Sequence, residues 1–240
     1  MEAERNNVAP AGWLKPLIYL SIPWAVSIHT VTAFLYCGLP GRGFWLTAIL
    51  APRFLSSAFA AGPAFLILLC MIVRKLSKFD PGKEQIQSLA KVVAYAITVN
   101  VFFFLCEVFV VFYSNIPEHM DHLKYLFVGL HGHGVLVPWM WASMILMVVS
   151  IILLVNPVTR KNETVLIVAC ITVFVGTWID KGLGMISGGF VPNPLHHVNE
   201  YVPTLPEILI ALAVWAIGFL VLTALFKIAV TIKEEVEGLA

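Results

Sequence analysis

Six long runs of apolar residues, parted by short polar stretches, set the pattern of this chain. They extend approximately from Leu17 to Gly38, Trp45 to Val73, Ser88 to Tyr113, Tyr125 to Val155, Thr164 to Ile186 and Leu205 to Val230. A bilayer core of about 30 Å takes roughly 20 apolar residues in helical form, and each run meets that length. The pattern therefore predicts an all-α integral membrane protein, a bundle of about six transmembrane helices. Residues 1–16 form a polar N-terminal segment, 17–230 the transmembrane domain and 231–240 a C-terminal tail. The short loops leave no room for a soluble domain. No secretory signal is expected, because Met1–Asn7 is polar and the first apolar run has span length without a small-residue cleavage site.

Composition points the same way. Hydrophobic residues make up 60% of the chain and charged residues 12%, against roughly 25% charged in a soluble domain. Polar groups must cover the outside of a soluble protein; lipid removes that demand. The net charge of +1 gives no reason to expect a nucleic-acid partner. The four cysteines, at 37, 70, 106 and 170, stand singly in apolar stretches. They carry no CxxC, ferredoxin-like or CxxCH spacing, so they read as core filling, and no haem or iron–sulfur cluster is expected on this chain. Lys and Arg sort the loops. Arg74, Lys75, Lys78, Lys83, Arg160, Lys161, Lys227 and Lys233 flank one side, with Arg5 and Lys15, whereas Arg42 and Lys124 are the main cations of the other. Both termini are therefore predicted to be cytoplasmic.

The spans contain a short set of residues that do not suit lipid: His29, Arg53, Glu107, His131, His133, Asp180 and Lys181. A charge deep in a bilayer costs at least a few kcal/mol by insertion scales, so such residues face a protein interior or a wet cavity. At about 1.5 Å per residue, all fall in the outward half, at nearly one level. Mutual pairing of Arg53 with Glu107 or Asp180, as scaffolding, is the alternative to a functional polar cavity. Asn100 and Glu107 are seven apart and share a helix face; Thr172, Gly176 and Asp180 form a similar stripe. Pro52 is expected to free a backbone carbonyl beside Arg53, and the small residues from Ser56 to Ala64 to make that helix thin. His131 and His133 would point to different faces of a regular helix, so only one would reach the cavity, and no metal clamp is expected. The Gly- and Pro-rich outer loop Ser187–Thr204 cannot be helical, and its His196, His197, Asn199 and Glu200 read as surface polar groups. Trp45, Trp139, Trp141, Trp178 and Tyr201 read as an interfacial aromatic belt.

Several segments taken in order resemble the NrfD, or polysulfide reductase (PsrC), membrane-subunit family. They are Ser27-Ile-His-Thr30, Gly41-Arg-Gly-Phe-Trp45, Ala51-Pro-Arg-Phe54 through Ala58-Phe-Ala-Ala-Gly62, Glu107 through Tyr113-Ser114, and Trp178-Ile-Asp-Lys-Gly182. Gly189-Phe-Val-Pro192 to Tyr201, with Pro206-Glu207, resembles the DsrP and Hme-like branch. Such subunits usually have eight to ten helices, and the six here match the C-terminal portion. The resemblance then implies half of a split subunit, with a further chain expected to supply the other helices, or a truncated product. Some relatives also place an acidic residue where this chain has Leu35.

The resemblance implies a quinone-interacting subunit of a multi-subunit respiratory oxidoreductase in the cytoplasmic membrane of a prokaryote. Electrons would pass between menaquinol, bound transiently, and a ferredoxin-like iron–sulfur subunit on the outer face. Cytochrome b-like, haem c and iron–sulfur subunits would complete the complex, in a sulfur metabolism. Glu107, Asp180 and His29 would transfer protons; Arg53, His133 and Lys181 would line the quinone cavity. The competing functions are a purely structural anchor, a b-type haem subunit ligated by His29 with His131 or His133, and an ion or solute transporter. A transporter of this kind is expected to show an inverted repeat, and none is evident.

Overall fold

The computed structural model describes residues 11–77 and 80–236. Among them there is no strand, and six helices are long and apolar enough to cross a membrane. In chain order the elements are α1 (Leu14–Cys37), a 3-10 turn (Gly43–Trp45), α2 (Leu50–Leu76), α3 (Lys83–Ser114), α4 (Pro117–Phe127), α5 (Val137–Val155), the short α6 (Pro157–Lys161), α7 (Glu163–Trp178), which continues as a π-helix over Ile179–Ser187, and α8 (Leu205–Val236). The chain divides into two compact units. One contains residues 1–22, 71–81 and 201–240, including α8. The other contains Pro23–Cys70 and Gly82–Glu200, and holds every residue of the candidate site.

Within the second unit, α5 and α7 approach closely because Gly176 has no side chain. A Cβ there would stand 3.2 Å from Leu146 Cβ and Met147 Cγ. Ser143 Oγ uses the opening to donate to the Gly176 carbonyl at 2.8 Å. Small residues let helix backbones meet in lipid, and here the close approach also satisfies a buried hydroxyl. At the far end, Asn156 and Asn162 cap α6 and α7, accepting from Val158 N–H and from Thr164 and Val165 N–H.

Four expectations are corrected. The fourth apolar run is not one helix from Tyr125 to Val155. It is the end of α4, a tight turn in which Leu130 and His133 exchange backbone hydrogen bonds at 2.9 Å, and then α5. Gly129 and Gly132 take φ of +94° and +81°, and His131 takes +52°, left-handed values that break a helix. Pro52 lies in the first turn of α2, where a missing N–H costs nothing; the proline inside that helix is Pro63. Trp45 is no belt residue. It is fully buried, donating from Nε1 to the Met185 carbonyl at 2.9 Å, whereas Trp139, Trp141 and Trp178 are exposed as expected. The π-helix was likewise not anticipated: it takes in Ser187, and Gly188 and Gly189 are helical too, so the loop expected to be free of helix from Ser187 begins only at Phe190.

Candidate functional site

Arg53 enters from the first turn of α2, Glu107 from two turns before the end of α3, and Asp180 and Lys181 from the start of the π-helix. The chain thus delivers four charges from three elements to one level. Arg53 Nη1 donates to Glu107 Oε2, and Nη2 to Asp180 Oδ1 at 2.6 Å. Lys181 Nζ stands 3.2 Å from Asp180 Oδ2. The first three side chains are at most 4% exposed and that of Lys181 16%. Two cations and two carboxylates balance, which lowers the cost of keeping ions from water.

Aromatic faces complete the enclosure. The Arg53 guanidinium lies 5.0 Å from the Phe104 ring centroid, and Lys181 Nζ 5.6 Å from that of Phe54. The hydrogen-bonding capacity is nevertheless not used up. Arg53 Nε, Asp180 Oδ2 and Lys181 Nζ are buried without an aligned hydrogen-bond partner, the ion-pair contact between the last two notwithstanding. Buried polar atoms are normally satisfied; Asp180 Oδ2 and Lys181 Nζ still face each other at 3.2 Å, whereas Arg53 Nε has no polar partner among the described residues. One turn along α2, Ser56 Oγ is 3.5 Å from Asn100 Oδ1, and Asn100 Nδ2 donates to Met147 Sδ at 3.6 Å. The two-rung face of Asn100 and Glu107 is therefore buried, as the spacing suggested.

The other expected members are elsewhere. His29 is half-buried on α1 and shares no hydrogen bond with the four. His131 and His133 lie in the turn after α4, so the sequence-based depth for both is wrong: they are exposed groups of the end face, not rungs of a helix. His133 Nδ1 instead stands 3.3 Å from Glu200 Oε2.

Glu200 was expected to be a plain surface group. It ties the long loop down, accepting from Val135 N–H at 2.9 Å and from Tyr125 Oη at 3.3 Å. The Val135 N–H, above all, holds its carboxyl below the usual glutamate range. Burial first, and then the Glu200 charge, push the Tyr125 phenol up to about 12. His122 escaped sequence reading altogether. It is 5% exposed, and its Nδ1 stands 2.8 Å from the Val191 carbonyl and 3.2 Å from that of Gly188. Burial lowers its pKa, against the pull of those two carbonyls, so the ring is neutral near pH 7. Polar residues in polar stretches give no signal when they are buried; only the alternation around α4 (Leu123, Tyr125 and Leu126 buried beside His122) could have suggested it. Among the described residues, no three His, Cys, Asp or Glu are grouped to hold a metal ion.

Residues 7–192 match the family described as polysulphide reductase, NrfD. A relative from Halobacterium salinarum, named as a membrane subunit of dimethyl sulfoxide reductase, is 22% identical over 227 residues. The match covers 85% of this chain and 50% of that protein, so the chain spans about half the length of the curated relative. The family match extends over well more than half of the chain and takes in Arg53, Glu107, Asp180 and Lys181 together: the chain belongs to the NrfD polysulphide reductase family.

Proposed function

We propose that this multi-pass membrane subunit of a reductase complex interacts with quinone, exchanging electrons between menaquinol and an iron–sulfur partner. Oxidation of a quinol releases two electrons and two protons. The electrons leave through the partner subunit, and the protons need carboxylates or imidazoles near the ring to receive them. Glu107 and Asp180 supply the carboxylates, Arg53 and Lys181 hold them in place, and His29 on α1 is a further acceptor. The cluster of two cations and two anions gathered from three elements, with Arg53 Nε still lacking a hydrogen bond, is the observation that supports this reading. Cytochrome b-like and haem c subunits belong to the same proposal, as do the cytoplasmic membrane of a prokaryote and cytoplasmic termini. So does a role in sulfur metabolism.

The charge balance of the cluster favours a second reading, a static anchor in which the four groups serve assembly alone. Glu107→Gln separates the two. It keeps the shape and removes the exchangeable charge, so menaquinol turnover by the purified complex should fall on the order of 10²-fold while the subunits still co-purify. Full turnover in that variant would overturn the redox reading and leave the anchor.

A further inference from the structure

At the end of the second unit away from α6, the loop after α1, α4 and the loop after the π-helix enclose a pocket of about 200 Å³. Pro40, Pro192 and Pro194 form rigid walls, and Glu118, His119 and His122 bring the chemistry. The tautomer of His122 follows from its partners. Two carbonyl oxygens face Nδ1, and a carbonyl can only accept, so Nδ1 carries the hydrogen. In the neutral ring the lone pair is then on Nε2, to which no protein group among the described residues donates. His122 is 5% exposed and lines the pocket, which leaves this nitrogen an unpartnered acceptor beside it. Glu118, one helical turn earlier and exposed, puts a carboxylate at the mouth. No Lys or Arg lines the pocket; Arg42 is turned onto the Phe190 carbonyl at 2.7 Å and the Phe190 ring. The lining thus offers an imidazole acceptor and a carboxylate with no Lys or Arg among it, although the Arg42 charge is felt at His122.

We propose, on the reading that the chain works beside a soluble subunit on this face, that the pocket is a socket for an arginine side chain of that subunit. A guanidinium is planar and presents donors in a fixed fork. One edge reaches His122 Nε2, another the Glu118 carboxylate, and the proline walls flank its plane. The volume suits one long side chain and excludes an element of secondary structure.

Agmatine is the probe, added to the full-length chain purified in mild detergent and read by saturation-transfer NMR. Saturable binding is expected, weakened at least tenfold in Glu118→Gln and in His122→Asn. Asparagine keeps a donor toward the Gly188 and Val191 carbonyls and removes the acceptor at the Nε2 position, and an unchanged gel-filtration profile checks that each variant folds. In the intact complex, saturating agmatine should release the soluble subunit. Absent binding, equal binding by both variants, equal binding of butylamine, or full retention of the subunit would each overturn the socket. Normal menaquinol turnover by Glu107→Gln, with these responses intact, would instead defeat the redox reading alone.

Discussion

Arg53 is the residue on which the charged layer turns. Removing it leaves Glu107 and Asp180 buried with Lys181 as their only nearby cation, and breaking such a cluster costs about 3–5 kcal/mol. Arg53→Ala should therefore lower stability in detergent by that order, read by denaturant unfolding. The double variant Arg53→Met/Glu107→Leu should lose much less than the sum of the two single changes, because it removes both charges of one pair. Glu200 acts at the rim by a different balance. Its folded pKa is depressed, so its stabilising contribution is full above the ordinary glutamate range and is lost as pH falls through the depressed value. Hydrogen exchange at Val135 N–H should quicken there, and a Glu200→Gln variant should show no such step. Of these residues, the sequence revealed Arg53, Glu107, Asp180 and Lys181, because a charge inside an apolar run contradicts its surroundings. It did not reveal His122 or the anchoring by Glu200, since each lies in a stretch that is polar anyway.

Among the elements, the π-helix and the loop after it carry the tightest fit. A Cβ on Gly189 would come within 2.3 Å of the Trp45 ring, and one on Gly188 within 2.5 Å of Leu126 Cδ2. Trp45 cannot yield easily, being buried and tied to the Met185 carbonyl. Gly189→Ala should cost about 1–3 kcal/mol through overpacking, with a changed Trp fluorescence. Gly182→Ala, where a Cβ meets nothing within 4 Å, should cost no comparable amount. Apolar runs announced the long helices, but they say little about where a helix changes its winding. Asp180 and Lys181 sit at the start of the wider-wound segment, which is why a regular 3.6-residue face described their surroundings only in part. The fourth run misled for a related reason: Val128, Leu130, Val135 and Leu136 keep it apolar through a turn that Gly129, Gly132 and Gly134 make.

For the molecule as a whole, the distribution of Lys and Arg predicts an orientation that labelling can check. Leu195 and Val158 are both well exposed, at 75% and 77%, and lie in connecting segments expected on opposite sides, Val158 in the short α6. A membrane-impermeant maleimide should label Leu195→Cys on intact cells, and Val158→Cys only after lysis; the reverse result would invert the topology. The native cysteines form no disulfide and lie in apolar helices, so a cysteine-free background can be built without removing a cross-link.

The sharing of one guanidinium between α3 and the π-helix has a consequence for how the bundle holds together. Both acids lean on the same cation, so neither can be moved or lost without altering the contact that the other keeps. One side chain from α2 thereby fastens two neighbouring elements at once.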